Sequence, residues 1–161
     1  AESAAAVTRA VRKAVEIPIS IKLAPNVPEI GRIAQAVAAE GADAITAINT
    51  MPAMLIDAMA AKPILSNRTG GLSGPALKPI ALRCVYEIAQ AVPLSIIGTG
   101  GISCGRDATE MLMAGATLVG VGSAVVNYGP AAFSRIRDEL SQFMAENGYA
   151  QIADLRGKAL P

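Results

Sequence analysis

The chain has 161 residues, of which 52% are hydrophobic and 17% are charged, a balance that supports a sizeable core and excludes a disordered chain. Lys and Arg number 14 against 13 Asp and Glu, and aromatic residues make up 3%, so the composition favours neither nucleic acid nor an anionic membrane as a partner. The sequence contains no His, which excludes a Ser-His triad and removes the commonest metal ligand.

Two periodicities alternate along the chain. Helical spacing is present in the opening residues and then in Val27–Glu40, Leu77–Val92, Cys104–Ala114 and Ala131–Asn147. Between these stretches lie short apolar runs rich in β-branched residues, at Ile17–Leu23, Ala44–Ile48, Leu94–Gly98 and Thr117–Val121. Apolar runs of this length predict strands that are buried on both faces. Asn26 with Glu29 predicts a capping box for the helix that follows, and Ser103 predicts a cap for the helix from Cys104.

Strands that alternate with helices predict an α/β fold with a parallel sheet and right-handed crossovers. About four parallel strands with flanking helices amount to half of a (β/α)₈ TIM-type barrel, because a closed barrel needs roughly 200–250 residues or more. No linker or low-complexity segment divides the sequence. We therefore expect residues 1–161 to form a single partial barrel domain.

One connection is unusually long. The segment from Asn49 to Gly74 joins the second strand to the next helix, and a connection of that length is commonly a lid or a binding element. Within it, Ala61–Asn67 predicts a short strand and Arg68–Gly74 a flexible loop. In a barrel such a segment lies at the carboxyl ends of the strands, where active sites form.

A long run without charge, Met111–Ser134, raises the question of a membrane span. Its internal glycines and proline favour a strand flanked by two turns instead, and the opening residues do not resemble a secretory signal. Cys84 and Cys104 lack metal-site spacing and are expected to stay reduced, with Cys84 in the core and Cys104 at a helix end. The cytoplasm is therefore the expected compartment.

Two glycine-rich turns are the strongest signals for a ligand. Gly98–Gly101 directly follows the third strand, and Gly120–Ser123 directly follows the fourth. Glycine lets backbone N–H groups approach an anion, and a helix amino terminus adds partial positive charge. Each turn alone could be a tight strand–helix connection, but the pair after consecutive strands favours phosphate binding.

Polar side chains end the first two strands. Lys22 lies near the end of an apolar run, where its ammonium could face a ligand or could extend into solvent as a surface lysine. Asn49 and Thr50 could bind a small polar ring or could simply form a turn. The aspartates Asp43, Asp57 and Asp107 are isolated in the sequence, and no pair is spaced for acid–base catalysis.

Several segments together resemble class 1 dihydroorotate dehydrogenases, most closely the 1B catalytic subunit, and match the carboxy-terminal half of that barrel. They are Ile21–Asn26, Ile48–Thr50, Asn67–Pro75, Lys78–Arg83, Ile97–Ser103, Val119–Ser123 and Asp154–Ala159. The stretch Thr-Gly-Gly-Leu-Ser-Gly-Pro within Asn67–Pro75 is the most specific of them. The resemblance implies strands five to eight of an FMN-binding barrel.

The resemblance also implies roles for individual residues. The residues expected to contact the flavin of FMN are Lys22, Ile48 and Gly74. Those expected to hold its phosphate and ribityl end are Gly100, Gly101, Gly122 and Ser123. The pyrimidine substrate would contact Asn49 and Thr50. The family pattern often has Thr where this chain has Ser123, and either hydroxyl can donate to a phosphate.

The implied activity is oxidation of dihydroorotate to orotate in pyrimidine (UMP) biosynthesis. In the family, the catalytic base is a Cys in the preceding half of the barrel, so this chain is expected to be inactive alone. The intact enzyme would be a homodimer or a heterotetramer with a subunit that carries FAD and an iron–sulfur cluster. Two alternatives stay open, which are a related FMN barrel acting on uracil or thymine (a dihydropyrimidine dehydrogenase subunit) and a non-catalytic half barrel that binds a phosphate ligand and pairs with a second copy.

Overall fold

The computed structural model describes residues 1–161 and consists of alternating helices and strands. The helices are α1 (Glu2–Ala14), α2 (Ile30–Ala39), α3 (Lys78–Ala91), α4 (Gly105–Met113), α5 (Ser123–Tyr128), α6 (Ala131–Glu146) and α7 (Ile152–Leu155), with a 3₁₀ turn at Pro75–Leu77. The strands are β1 (Ser20–Leu23), β2 (Ala44–Ala47), β3 (Met51–Ala53), β4 (Ile56–Asp57), β5 (Lys62–Pro63), β6 (Gly70–Leu72), β7 (Ser95–Thr99) and β8 (Leu118–Gly120).

Four strands form the central sheet, in the order β1-β2-β7-β8, and every pair in it is parallel. These are the four runs that the sequence predicted as strands, with ends that differ by at most three residues. Parallel strands with helices between them confirm the α/β class, and the arrangement is that of half a (β/α)₈ barrel.

The two faces of the central sheet differ in their surroundings. Ile45 and Ile96 point towards the helices and are almost completely buried in a hydrophobic core of 24 residues. The opposite face carries a row in which Lys22 pairs with Thr46 and Ile97 pairs with Leu118. Leu118 in this row is 61% exposed. Helices thus cover one face of the sheet, and the face that would point into a barrel is open.

Helices α2 and α4 both begin later than the sequence predicted. The amino-terminal cap of α2 is Glu29 and makes no side-chain hydrogen bond, so the capping box predicted from Asn26 and Glu29 is wrong. The cap of α4 is Cys104 rather than Ser103, and it forms a capping box with Asp107. An acidic residue three positions into the helix accounts for the shift, since its carboxylate accepts the backbone N–H of Cys104 at 3.1 Å.

The connection between β2 and α3 contains more strand than the sequence indicated. Strand β3 pairs antiparallel with β6, and β4 pairs antiparallel with β5. The predicted strand Ala61–Asn67 is wrong except at Lys62–Pro63, and the predicted loop Arg68–Gly74 contains strand β6. Pairing with β3 across the hairpin explains why a glycine-rich stretch is extended here.

The long run without charge, Met111–Ser134, is divided among several elements. It includes the end of α4, all of β8 and α5, and the start of α6, so the strand predicted within it is β8, and helix α5 lies where a turn was expected. None of the helices in the chain combines the length and the apolar content that a membrane crossing requires. Both cysteines are free, and Cys84 is fully buried in the core as predicted.

Candidate functional site

A cleft of about 530 Å³ opens where the central strands end. Because the strands are parallel, their carboxyl ends lie at one edge of the sheet, and the segments that follow them meet there. The cleft contains all of the residues that the sequence predicted for the site, namely Lys22, Ile48, Asn49, Thr50, Gly74, Gly100, Gly101, Gly122 and Ser123. The tertiary structure therefore brings these separate segments together.

The segment after β2 is held at the floor of the cleft by its backbone. The N–H of Ile48 donates to the carbonyl of Thr99 at 2.8 Å, and the N–H of Asn49 donates to the carbonyl of Leu23 at 2.8 Å. These bonds continue the ladder of the sheet on both sides beyond the last residue of β2. Ile48 is buried, whereas the side chains of Asn49 and Thr50 are exposed in the cleft.

The first glycine turn packs tightly against helix α3. Gly100 and Gly101 have φ angles of +132° and +77°, a region that favours glycine. A Cβ on Gly101 would lie 2.7 Å from the backbone nitrogen of Lys78, and one on Gly100 would lie 2.7 Å from the Cβ of Ala81. Both positions need glycine because of their backbone angles and because α3 occupies the space behind them.

The second glycine turn differs, because it faces open space. A Cβ on Gly122 would meet no atom within 4 Å, and Ser123 begins the short helix α5. The hydroxyl of Thr99 donates to the carbonyl of Gly120 at 3.0 Å and links the two turns. The missing side chain at Gly122 thus leaves room in the cleft beside the first N–H groups of α5, which have no partner within the helix.

The charges that line the cleft fit an anionic ligand. Among its 19 lining residues, Lys22 is the only cationic side chain, and none is an Asp or a Glu. The other polar groups are hydroxyls and amides, and Ser73, Thr99, Ser103 and Asn127 add to those predicted. One ammonium, two glycine turns and no carboxylate are a suitable donor set for FMN, whose phosphate is anionic and whose ring gains negative charge on reduction.

A polar cluster that the sequence did not indicate lies directly behind the first glycine turn. Asp107, which seemed isolated, accepts hydrogen bonds from Lys78 at 2.7 Å and from the backbone and hydroxyl of Ser103 at 2.8 Å each. Burial raises the pKa of Asp107, but these bonds and the contact with Cys104 outweigh it and lower that pKa to about 2. Asp43, likewise, is paired with Arg12 at 2.9 Å.

Tyr128 is a second residue that the sequence did not single out. It lines the cleft at the end of α5, and the guanidinium of Arg135 lies 4.4 Å from the centre of its ring. Arg135 also donates to the carbonyl of Ser103 at 2.7 Å. Helix α6 therefore contacts both α5 and the segment before α4, and the second of these contacts joins residues 32 positions apart.

A groove of similar volume, about 530 Å³, lies between α4 and α6. Its carboxylates already have partners within the protein. Glu139 accepts the N–H of Gly105 at 2.6 Å, and Glu110 binds Lys78 at 2.7 Å. The carboxylates of the groove are therefore less available to a ligand than the polar groups of the cleft at the strand ends.

Comparison with known proteins agrees with this architecture. The family model for dihydroorotate dehydrogenase matches residues 1–144. The chain belongs to the dihydroorotate dehydrogenase family. This confirms the resemblance that the motifs indicated.

Three relatives carry the name dihydroorotate dehydrogenase B (NAD(+)), catalytic subunit. The protein of Bacillus pumilus is 46% identical over 159 residues, which are 98% of this chain and 51% of the relative. That of Geobacter metallireducens is 48% identical over 157 residues, covering 97% and 51%. That of Thermococcus kodakarensis is 42% identical over 159 residues, covering 99% and 53%. This member of the dihydroorotate dehydrogenase family thus spans about half the length of these curated relatives.

Proposed function

We propose that this chain supplies the FMN-binding half of a class 1B dihydroorotate dehydrogenase catalytic subunit, in the oxidation of dihydroorotate to orotate for pyrimidine synthesis. The observation that carries the proposal is the composition of the cleft. It contains a single ammonium, two glycine turns and no carboxylate. Membership of the family and the names of the relatives support dihydroorotate rather than uracil or thymine as the substrate.

The two ends of the cleft would bind different parts of FMN. Gly100, Gly101, Gly122 and Ser123 would hold the phosphate and the ribityl chain, since their backbone N–H groups can approach an anion. Lys22, Ile48 and Gly74 would contact the ring, with the Lys22 ammonium placed to stabilise negative charge on it. When bound, FMN supplies a ring that accepts a hydride, which is the chemistry that this oxidation requires.

The substrate would lie beside Asn49 and Thr50. The Asn49 amide offers two donors and an acceptor, and the Thr50 hydroxyl offers one donor, which suits the carbonyl and N–H groups of a pyrimidine ring. Thr50 is held in place because its side chain packs directly over Gly71 of β6, where a Cβ would overlap it. These two side chains would therefore orient the substrate.

The lining of the cleft lacks the side chains that most often act as a general base. It contains no Cys, Asp or Glu, and the chain has no His. We therefore infer that the base belongs to the part of the relatives that this chain does not cover, and that this chain alone has no dehydrogenase activity. The open face of the central sheet, with Leu118 exposed, fits contact with that remaining part. A partner subunit with FAD and an iron–sulfur cluster, and a cytoplasmic location, stay predictions.

FMN binding to the 161-residue chain tests the proposal. Quenching of flavin fluorescence would be followed during titration of the wild type and of Gly122→Asp. The variant adds a carboxylate where the cleft is open, on a Cβ that would meet no atom within 4 Å. We expect it to weaken FMN binding by at least about tenfold, because it places a negative charge where the phosphate would lie.

The matched control is Ser141→Asp, which adds the same charge on the exposed surface of α6. We expect it to bind FMN like the wild type. Gly101→Asp would be a poor probe, because its side chain would collide with the backbone of Lys78 and would report on folding instead. Equal FMN affinity in Gly122→Asp and the wild type would show that the glycine turns do not hold the phosphate.

A further inference from the structure

The carboxylate of Asp107 joins three parts of the structure behind the first glycine turn. One of its oxygens, Oδ2, accepts the backbone N–H of Ser103 at 2.8 Å, the hydroxyl of Ser103 at 2.8 Å and the N–H of Cys104 at 3.1 Å. The other oxygen, Oδ1, accepts the ammonium of Lys78 at 2.7 Å. Asp107 is 6% exposed, so these partners replace water as its main contacts.

Lys78 holds the same turn from the other side. It is the first residue of α3, and its backbone lies so close to Gly101 that a Cβ there would be 2.7 Å from the Lys78 nitrogen. Its ammonium reaches across to α4, where it also binds Glu110 at 2.7 Å. The segment from Gly100 to Ser103 is therefore enclosed between the start of α3 and the start of α4.

We infer that Asp107 and Lys78 are positioning residues that hold the Gly100–Ser103 turn in the conformation in which it faces the cleft. Neither side chain lines the cleft, so both act through the turn rather than on a ligand. The consequence of this role for binding rests on the proposed function. If the turn binds the phosphate, the pair preorganises it for that ligand. Preorganised donors bind an anion more tightly because they pay no ordering cost on binding.

The charges around Asp107 are consistent with a carboxylate that stays ionised. Lys78 from α3 is its cation, and that lysine's pKa is raised by its hydrogen bonds to Asp107 and to Glu110. From α6, Arg135 binds the Ser103 carbonyl and Glu139 binds the Gly105 N–H at 2.6 Å. Helix α6 therefore contacts the turn and the start of α4 through their backbone and leaves the Asp107 carboxylate to Lys78.

The test begins with the ligand-free 161-residue chain. Amide hydrogen exchange of Ser103 and Cys104 would be measured by NMR in the wild type, in Asp107→Asn and in Lys78→Met. We expect protection of these two amides to fall by at least about tenfold in Asp107→Asn, the ratio that corresponds to one hydrogen bond to a charged group. Lys78→Met should reduce it in the same direction, and it decides the outcome if Asp107→Asn does not fold.

Two variants separate positioning from general stability. Lys78→Arg keeps a cation that can donate to both carboxylates, so protection should stay within about twofold of the wild type. Glu110→Gln removes the other carboxylate that binds Lys78 but touches nothing in the turn. The amides of Ser103 and Cys104 should therefore exchange in this variant as they do in the wild type. Equal loss of protection in Glu110→Gln and Asp107→Asn would overturn the inference, as would unchanged protection in Asp107→Asn and Lys78→Met.

FMN titration of the same variants then links the pair to binding. If the wild type binds FMN, we expect weaker binding by about tenfold in Asp107→Asn and in Lys78→Met, with recovery in Lys78→Arg. Reduced amide protection together with unchanged FMN affinity would overturn the positioning role. If the wild type itself binds no FMN, and Asp107→Asn and Lys78→Met still reduce amide protection, the positioning role of the pair is supported and the proposed function is refuted.

Discussion

Asp107→Asn should change how the stability of the chain depends on pH. In the folded chain the pKa of Asp107 falls from an ordinary value of 3.8 to about 2, because hydrogen bonds from Lys78 and Ser103 outweigh the effect of burial. The lowered pKa stabilises the folded chain in full at any pH where Asp107 is ionised in the unfolded chain as well, that is, above about pH 5. A shift of almost two pH units corresponds to about 2 kcal/mol of folding free energy, which is lost as the pH falls through about 2.

The assay is urea unfolding of the wild type and the variant at pH 7, 5, 4 and 3. The free energy of unfolding should be higher in the wild type at pH 7, and the difference should shrink by about 1 kcal/mol between pH 7 and pH 3, roughly half of the full contribution. Asp138→Asn, at an exposed position of α6, is the control and should not show this narrowing. A difference between wild type and Asp107→Asn that stayed constant from pH 7 to pH 3 would refute the reasoning.

Two further predictions concern the glycine turns and the cleft lysine. Gly101→Ala should lower the free energy of unfolding by at least about 1 kcal/mol, because the φ of Gly101 is +77° and a Cβ there would meet the Lys78 backbone. Gly122→Ala should change the free energy of unfolding by no more than about 0.5 kcal/mol, because a Cβ there meets no atom. Equal urea midpoints for the two variants would contradict this prediction. Lys22→Met should weaken FMN binding by about tenfold in fluorescence titration, as expected for loss of one charged contact, and Lys62→Met, at an exposed hairpin lysine, should have no effect. A similar loss in both lysine variants would point to general charge rather than to the cleft.

The central strands and long helices could be predicted because their signals are local. Buried parallel strands are short apolar runs, and helices repeat their apolar residues every three or four positions, so neighbours in sequence are enough to reveal both. The wrong predictions of secondary structure lie in segments whose conformation depends on a partner that is distant in the sequence. Strand β6 is extended because Met51 pairs with Leu72, and nothing within its glycine-rich sequence indicates that pairing.

The candidate site followed a similar division. Sequence motifs placed Lys22, Asn49 and the glycine turns at the ends of strands, and the parallel order of the sheet then requires those ends to meet. The motifs did not distinguish Gly101 from Gly122, although the first is packed against α3 and the second faces open space. That difference depends on which helix lies behind each turn.

The environment of Asp107 could not be predicted from its neighbours in the sequence alone. Ser103 and Cys104 are its near neighbours, but the cation that completes its environment lies 29 residues away at the start of another helix. Composition and periodicity were sufficient for the α/β class, and the motifs that resemble the family were sufficient for the family and for nine residues of the cleft, since these depend on patterns along the chain. The ion pair behind the turn and the low pKa of its carboxylate arise from the packing of α3 against α4, because burial and charge pairing exist only once distant segments are in contact.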